Sequence, residues 1–501
     1  MATTVDGAAD DAPASDAGGA PAVDDRRLLF GRWGLWLTLV GLVTLLAGIL
    51  FGYDQGIISG ALPFITSAFG LSSLLSEVVT SWVTLGALVG ALAAGLLADR
   101  LGRRHTLMLA GAVFMVGAGV SGFAPDTAVL VVGRFIIGFG VGVASVAAPL
   151  YAAEMAPKET RGRFVSTYQL AITVGILIAY VVDDVLSTSG SWRIMLAGAV
   201  VPGFLLVLAM VKMPESPRWL MKVHRRDEAT ATLREVRGSA GVEAALDAVE
   251  EELSDEGDQA TWGEVFGRNL RKPLMVGVGL AVFQQITGIN AIIYYANEIF
   301  AKAGFTTPEQ QAKATLYAIG VVNVLATFIA VGFVDRVGRR PLLLAGLVGM
   351  TLSLAGVGFA FLAFDETATQ TGPSTVGIIT VVCLIVFIAS FAFSLGPVVW
   401  TVINEIYPNR VRGRAVSVAT AVNWGAAFLV SQFFLTLVDG IGTAATFWLF
   451  SGFSVIAFVW IWRKVPETKG RSLEEIQEIW EHHDPVAATA DQTLETAGSA
   501  D

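Results

Sequence analysis

Charge is scarce in this sequence. Asp, Glu, Lys and Arg make up 15% of its 501 residues, and apolar residues make up 54%. The mean hydropathy is +0.64. A soluble chain of this length would carry far more charge. The composition therefore argues against a soluble domain and predicts a protein surrounded by membrane lipid. We expect no nucleic-acid partner.

Cysteine and histidine are scarce as well. Cys383 is the single cysteine, so the chain cannot form an internal disulfide or a cysteine metal cluster. The four histidines do not show the spacing of metal ligands. No nucleophile–base pair and no nucleotide-binding loop stands out. We therefore expect neither a metal nor another cofactor, and no enzymatic activity.

Long runs with almost no charge are abundant instead. Each reaches or approaches the roughly 20 apolar residues that cross about 30 Å of hydrocarbon. They are rich in glycine and lack the alternation of a strand, which favours helices over a β-barrel. In chain order they predict twelve transmembrane helices, centred near residues 45, 88, 115, 140, 175, 202, 285, 325, 352, 388, 426 and 453. The clearest runs are 33–61, 106–125, 195–211, 342–364, 376–400 and 415–438.

Lysine and arginine are concentrated in alternate loops. The segments "DRLGRRH", "PKETRGR", "DRVGRR", "PNRVRGR" and "WRKVPETKGR" fall on one side of the predicted bundle. The opposite loops "FAPDTA", "FDETATQTGPS" and "LVDGIGT" contain neither residue. Basic loops remain in the cytoplasm when a membrane protein inserts. We therefore expect a multi-pass protein of the cell membrane with both termini in the cytoplasm.

Three motifs occur twice, in the same order. "DRLGRR" at 99–104 returns as "DRVGRR" at 335–340, "EMAPKETRGR" at 154–163 as "EIYPNRVRGR" at 405–414, and "PESPR" at 214–218 as "PETKG" at 466–470. Such repetition is typical of transporters built from two parallel halves. We predict a disordered cytoplasmic tail at 1–32, six-helix halves at 33–212 and 273–463, a cytoplasmic linker with short helices at 213–272, and a cytoplasmic tail at 464–501.

These motifs, together with "PESPRWL", "QQITGINAIIYY" and "GPVVW", resemble those of the sugar porter family of the major facilitator superfamily. The resemblance covers about residues 33–480. It implies an all-α fold of twelve transmembrane helices in two six-helix halves, with a sugar site between the halves. Bacterial sugar–proton symporters and glucose facilitators are the members that the sequence resembles.

Charged residues recur at the cytoplasmic ends of the predicted helices in both halves. Acidic and basic residues at matching sites favour charged bridges between neighbouring helices, which would help to close the cytoplasmic side. The alternative is that the basic residues only fix the orientation of the chain. The predicted gating residues are Asp99, Arg100, Arg103, Arg104, Glu154, Arg161, Arg163, Asp335, Arg336, Arg339, Arg340, Glu405, Arg412 and Arg414.

Four polar residues lie close together in "FQQITGINAIIYY". On an ideal helix Gln284, Asn290 and Tyr294 share one broad face. Gln285 joins them only if the helix is distorted, for which Thr287–Gly288 is the place. Amides both donate and accept hydrogen bonds, which suits the hydroxyl groups of a neutral sugar. The alternative is that these residues join helices to each other. The family resemblance implies that all four contact sugar.

Four further residues complete the predicted sugar site. Gln169 is an isolated amide in the fifth predicted helix, and Asn423 and Trp424 lie in the eleventh. Trp400 follows "GPVV" in the tenth, where a break at Gly396–Pro397 would bring it to the centre of the membrane. A tryptophan can stack on the apolar face of a pyranose, or it can belong to the interfacial aromatic belt. The resemblance implies the break and the sugar contacts.

Asp54, in "FGYDQGIISG", is the only charged residue between Arg32 and Glu77. An ionisable residue inside a membrane helix is costly, and it therefore indicates a function. Its predicted partner is Arg134, in "VVGRFIIGFGVG". The resemblance to proton symporters implies that a proton from outside neutralises Asp54 and loosens this pair before sugar binds. The alternative is a permanent ion pair that supports packing only.

The sequence thus predicts a secondary active transporter that imports a monosaccharide with a proton. A sugar uniporter, a polyol or inositol porter, and a sugar receptor with the same fold remain as alternatives. Ile176 and Asn423 match the facilitators of the family, which leaves the exact sugar open. A porter of organic anions or drugs is disfavoured, because Arg134 is the one cation of the predicted site. Sugar, proton and lipid are the expected partners, and no obligate protein partner is evident.

Overall fold

The structure is a computed structural model that describes residues 32–156, 161–237, 241–256, 261–363, 375–469 and 475. Within these ranges it contains no β-strand, and twelve of its helices are long and apolar enough to cross a membrane. The all-α membrane fold predicted from the sequence is confirmed. The predicted tail up to residue 31 and the chain from residue 476 onward lie outside the described residues.

The first six spans form the N-terminal half. Two of them begin at polar caps beside loops that have no basic residue. The Ser72 hydroxyl accepts the Leu75 N–H at the start of span 2, and the Asp126 carboxylate accepts the Val129 N–H at the start of span 4. Spans 1 to 5 are Arg32–Phe69, Ser73–Leu101, Arg103–Gly122, Thr127–Met155 and Arg161–Leu186, and span 6 consists of Trp192–Ala197 and Val200–Val211.

Spans 1 and 5 pack closely along a row of glycines on span 1. Gly48, Gly52, Gly56 and Gly60 recur every fourth residue, and a Cβ atom on Gly52 would lie 1.9 Å from the carbonyl oxygen of Ile172. Small residues at this spacing let two helix backbones approach in a membrane. The row fixes the rotation of span 1 about its axis. A residue two positions after one of these glycines, such as Asp54 after Gly52, therefore lies on the side of the helix away from span 5.

In its described residues, the segment between the halves contains four short α-helices and one 3-10 turn. Trp219, Leu220, Leu233 and Leu246 form a small apolar core of their own in this segment. The linker is therefore a folded element in the ranges that the structure describes. Its helices are Pro217–Lys222, Arg226–Arg237, Val242–Glu256 and Trp262–Val265, followed by the turn Arg268–Leu270.

The last six spans form the C-terminal half, and three of them are interrupted. Span 7 is divided into three segments, span 8 contains a π-helical segment, and span 10 is divided into two. Span 7 consists of Arg271–Ile286, Ile289–Tyr294 and Ala296–Lys302, span 8 of Pro308–Thr315, Leu316–Val321 and Val322–Val337, span 9 of Arg339–Leu362, span 10 of Thr375–Phe393 and Leu395–Glu405, span 11 of Asn409–Ile441, and span 12 of Thr443–Lys464.

The two main interruptions have identifiable causes. In span 7, Gly288 has a φ of 95°, in the left-handed region that favours glycine. This confirms the distortion predicted at Thr287–Gly288. In span 10 the break falls at Ser394, and the prediction of Gly396–Pro397 was slightly too late. The ring of Pro397 opposes the carbonyl of Phe393, four residues earlier, so the helix is interrupted one turn before the proline.

Candidate functional site

Asp54 on span 1 and Arg134 on span 4 form a buried ion pair. The Arg134 Nη1 atom lies 2.5 Å from Asp54 Oδ1, and the two residues are 0% and 2% exposed. Arg134 Nε also donates to the carbonyl oxygen of Val79 on span 2, at 3.3 Å. Arg134 Nη2 has no hydrogen-bond partner among the described residues. The partner predicted for Asp54 is confirmed, and the pair joins three spans of the N-terminal half.

The predicted amides of spans 7 and 11 form one hydrogen-bonded network. Gln285 Nε2 donates to Asn423 Oδ1 at 3.2 Å, and Asn423 Nδ2 donates to Gln284 Oε1 at 2.7 Å. Asn290 Nδ2 donates to Gln285 Oε1 at 2.8 Å. Gln285 therefore joins the other amides, because the break at Gly288 turns the following segment relative to the preceding one. Such a network offers both donors and acceptors.

Gln284 ties this network to the break in span 10. Its Nε2 atom donates to the carbonyl oxygen of Leu395 at 2.8 Å. Trp400 lies one and a half turns further along the same segment and is half-buried against the main hydrophobic core. Trp400 thus lies on the helix segment that Gln284 contacts at its start.

Gln55 links the two halves at the level of the ion pair. Gln55 is the neighbour of Asp54 in the chain, and its Nε2 atom lies 3.5 Å from Asn290 Oδ1 and 3.3 Å from the Tyr294 hydroxyl. Gln55 was not among the residues predicted from the sequence. The signal that could have identified it is an amide side chain directly beside an isolated aspartate in an apolar run.

A cavity lies between the halves, beside Asp54 of the ion pair. Asp54 contributes to its wall from the N-terminal half, and Tyr294 and Trp424 contribute from the C-terminal half. The rings of Trp424 and Phe51 pack at a centroid distance of 5.3 Å across the interface. Gln169 is half-buried on span 5. The wall contains two of the predicted sugar residues, and it does not contain Gln169, Gln284, Gln285, Asn290, Trp400 or Asn423. The lining residues are Phe51, Asp54, Gln55, Val83, Thr84, Ala87, Val141, Tyr294 and Trp424.

The charged residues at the basic ends of the spans form similar arrangements in both halves. In the N-terminal half Arg103 makes two hydrogen bonds to Glu154, at 2.8 and 2.9 Å. In the C-terminal half Arg339 Nη2 lies 3.0 Å from Glu405 Oε1. The predicted bridges between neighbouring helices are therefore present in each half. Their part in closing the cytoplasmic side stays a prediction.

Two glutamates that the sequence analysis did not select complete these arrangements. Glu215 Oε1 accepts the backbone N–H groups of Arg103 and Arg104, at 2.8 and 3.0 Å. Glu467 accepts those of Arg339 and Arg340, each at 3.0 Å. Burial raises the pKa of Glu467, but the backbone N–H groups that it accepts outweigh burial and hold the pKa below its ordinary value. The motifs "PESPR" and "PETKG" thus cap spans 3 and 9.

Several predicted gating residues have partners other than carboxylates. Arg104 Nη2 donates to the carbonyl oxygen of Val211 at 2.6 Å, and Arg340 donates to that of Trp462, so both satisfy carbonyls at helix ends. Arg412 donates to the carbonyl oxygen of Tyr407, at 3.3 and 3.2 Å, and forms no charged bridge among the described residues.

The remaining gating residues lie nearer the surface. Asp99 lies 3.4 Å from Arg103 and 3.1 Å from Lys222, and the Arg414 guanidinium lies 5.5 Å from the ring centroid of Trp262. Arg100 and Arg336 are exposed. The side chains of Arg161, Arg163 and Asp335 lie outside the described part of the structure.

Curated proteins of similar sequence are transporters. The family model described as "Sugar (and other) transporter" matches residues 40–480. The arabinose-proton symporter of Escherichia coli K12 is 42% identical over 443 residues, which cover 87% of this chain and 92% of that protein. The galactose-proton symporter of the same strain is 40% identical over 436 residues, with 86% and 92% covered. The major myo-inositol transporter IolT of Bacillus subtilis is 35% identical over 472 residues, with 92% and 98% covered.

Solved structures of similar fold include those of XylE of E. coli. The proton:xylose symporter XylE bound to 6-bromo-6-deoxy-D-glucose, a member of the major facilitator superfamily, is 31% identical with a TM-score of 0.73, and the match covers 89% of this chain and 99% of that one. The inward open conformation of XylE is 31% identical with a TM-score of 0.76, and 89% and 100% are covered. The match extends over nearly the whole of both chains.

Proposed function

Because this chain belongs to the sugar transporter family of the major facilitator superfamily, we propose that it is a secondary active transporter that imports a monosaccharide together with a proton. The relatives named for arabinose, galactose and xylose support an aldose as the substrate. The cell membrane is the proposed location, with both termini in the cytoplasm, as the basic loops indicate. The halves proposed at 33–212 and 273–463 move relative to each other.

The observation that carries this proposal is the buried pair of Asp54 and Arg134 beside a cavity between the halves. When a proton adds to the Asp54 carboxylate, the charge that holds the Arg134 guanidinium is removed. Spans 1 and 4 are then less tightly joined. Gln55 follows Asp54 directly and contacts Tyr294 of the opposite half. A movement of span 1 at Asp54 therefore also moves this contact between the halves. Proton binding and the sugar site are therefore adjacent.

The amide network provides groups suited to sugar hydroxyls. Gln284, Gln285, Asn290 and Asn423 are each less than 10% exposed and bond to one another. A sugar hydroxyl both donates and accepts, so it can replace any of these amide contacts without leaving a polar group unpaired. Trp424 and Trp400 supply aromatic faces for the apolar side of a pyranose, and Gln169 contributes from span 5 if the cavity widens.

The energy of one proton is sufficient for uphill transport. A charge that crosses a membrane potential of 100 mV releases about 2.3 kcal/mol, and a pH gradient adds to this. About 1.4 kcal/mol corresponds to a tenfold concentration ratio. One proton per sugar therefore supports accumulation by a factor of tens.

We propose that the charged bridges at the cytoplasmic ends of the spans keep each half rigid while the two halves move relative to each other. The pairs Arg103–Glu154 and Arg339–Glu405 each join two helices of the same half. Rigid halves are what a rocking movement requires. Their contribution to closing the cytoplasmic side is part of the proposal.

Sugar-dependent proton uptake tests the proposed function. De-energised cells that express the protein are placed in a lightly buffered medium, and arabinose, galactose, xylose, glucose, fructose, mannose or inositol is added. We expect alkalinisation of the medium with at least one aldose, and none in cells expressing Asp54→Asn. Entry of labelled sugar without a pH change in the unaltered protein would establish a uniporter instead. Alkalinisation with inositol alone would establish the function named for the relative IolT.

A further inference from the structure

A second set of polar contacts joins the halves away from the sugar site. It lies beside the loops that contain no lysine or arginine, which we place outside the cell. Ser81 Oγ on span 2 donates to Gln432 Oε1 on span 11 at 2.6 Å. Asn297, in the last segment of span 7, accepts the Ser59 hydroxyl at 3.4 Å and donates its backbone N–H to Ser59 Oγ at 3.1 Å. We call this set the outer interface, and it comprises Ser59, Glu77, Ser81, Asn297, Gln432 and Thr436.

Glu77 is the one ionisable residue of the outer interface and is fully buried. It lies in the second turn of span 2. Its Oε1 accepts the backbone N–H of Thr436 at 2.6 Å, and its Oε2 accepts the Thr436 hydroxyl at 2.7 Å. Both oxygens are thus satisfied by a single residue of the opposite half. Among the described residues, Glu77 has no lysine or arginine within ion-pair distance.

The burial of Glu77 depends on contact between the halves. A carboxyl group is costly to bury unless hydrogen bonds replace those it makes with water. Here those bonds come from span 11 of the other half, four residues along the helix from the Ser81–Gln432 contact. Span 2 and span 11 run antiparallel, so the Glu77–Thr436 and Ser81–Gln432 contacts lie one helical turn apart along the outer interface. When the halves separate on the outer side, both are lost together.

We propose that Glu77 is the latch of the outer gate, a positioning residue that holds the outer side closed while the sugar site is exposed to the cytoplasm. This inference rests on the proposed function only in that the halves must alternate. The latch acts through its two bonds to Thr436, and it does not touch the sugar. The free energy of these two hydrogen bonds determines how often the halves separate on the outer side.

Thiol labelling from outside the cell tests the latch. The single native cysteine makes this direct: Cys383→Ala removes it, and Ser59→Cys places a new thiol in the outer interface, where the unaltered residue is 1% exposed. Cells are treated with a membrane-impermeant maleimide. We expect Glu77→Ala to label about tenfold faster than its parent, because two strong hydrogen bonds of the closed state are lost. Thr436→Val removes one of these bonds and should give a smaller increase, about threefold.

Two controls separate the latch from general loosening. Glu309→Ala removes an exposed carboxylate of the same side, which pairs with the exposed Lys313, and should leave the rate unchanged. In a chain that retains Cys383 as its only cysteine, Glu77→Ala should not increase labelling of that residue on span 10. Unchanged labelling of Ser59→Cys in both Glu77→Ala and Thr436→Val, or an equal rise in Glu309→Ala, would overturn the proposal.

The labelling requires neither sugar nor a proton gradient. A chain that labels as expected but moves no sugar keeps the latch and loses the proposed function. A chain that transports sugar with protons but labels equally in all variants keeps the proposed function and loses the latch.

Discussion

At the scale of single residues, the site is defined by where isolated polar groups lie within apolar helices. Asp54 and Arg134 each stand alone in a long apolar run, and in the structure they meet at 2.5 Å. The neighbour of Asp54, Gln55, contacts Asn290 and Tyr294 of the other half. The residue that changes charge, Asp54, is therefore next in the chain to a residue that contacts the other half. Coupled transport needs such a link between proton binding and the contact between the halves.

Gln285 is the residue whose loss should affect sugar binding most specifically. It donates to Asn423 and accepts from Asn290, so it stands at the centre of the amide network. We expect Gln285→Ala to raise the sugar KM about tenfold, because hydrogen bonds to the sugar are lost and buried partners are left unpaired. The measurement is initial uptake of labelled sugar over a range of concentrations.

Gln310→Ala is the matched control for this amide. Gln310 lies on the exposed start of span 8 and belongs to neither the amide network nor the cavity wall. Its removal should leave the KM unchanged. A Gln285→Ala protein with the KM of the unaltered chain would show that the network joins helices and does not bind sugar.

The residues of the site were predictable to different degrees for physical reasons. Charged and amide groups inside apolar runs are expensive, so Asp54, Arg134 and Gln285 stand out without a structure. Gln55 did not, because its contacts depend on how the halves meet. The partner of Arg412 was not predictable for a similar reason: a nearby carbonyl satisfies a guanidinium as readily as a carboxylate, and only the fold decides which is in reach.

At the scale of helices, packing and interruption determine which side chains meet. The glycines of span 1 bring span 5 close and turn Asp54 toward span 4, while the left-handed Gly288 brings Gln285 to its partners. The break in span 7 was predictable because glycine marks it. The break in span 10 was placed two residues late, because a proline disturbs the helix one turn before its own position.

Gly52 provides a test of this close packing. A Cβ atom there would overlap the carbonyl oxygen of Ile172 at 1.9 Å, so Gly52→Ala must push spans 1 and 5 apart. We expect a loss of about 1–3 kcal/mol in the free energy of unfolding and a lower Tm. Thermal unfolding of the purified protein in detergent measures this.

Gly95→Ala is the corresponding control on span 2. A Cβ atom there would meet nothing within 4 Å, so the Tm should stay the same or rise slightly. Equal effects of the two substitutions would show that the glycine row does not determine how spans 1 and 5 pack.

At the scale of the whole molecule, the two halves repeat the same construction. Arg103 pairs with Glu154, and its backbone N–H donates to Glu215. Arg339 pairs with Glu405, and its backbone N–H donates to Glu467. The repeated motifs predicted this equivalence from the sequence, since each charged group recurs at a matching place. The contacts across the outer interface were not predictable, because Glu77, Ser81 and Gln432 belong to no repeated motif.

The equivalence of the halves predicts equivalent effects of mutation. Arg103→Ala and Arg339→Ala each leave a largely buried carboxylate without its cation, which costs roughly 3–5 kcal/mol when such a pair is fully buried. We expect both to lower the Tm and the transport rate, with Arg103→Ala the more severe because Arg103 and Glu154 are the more buried pair. Lys212→Ala, at an exposed position at the end of span 6, should change neither quantity. A strong effect in one half with none in the other would contradict the shared design.

The central claim is that a proton on Asp54 drives sugar uptake, and Asp54→Asn in proteoliposomes tests it most directly. The asparagine resembles the neutral carboxyl group in shape and cannot release a proton. With an imposed pH gradient and membrane potential, the unaltered protein should accumulate the sugar identified by alkalinisation above its external concentration, and Asp54→Asn should not. Exchange of labelled for unlabelled sugar, which needs no net proton movement, should persist in the variant. Accumulation by Asp54→Asn to the level of the unaltered protein would contradict the account.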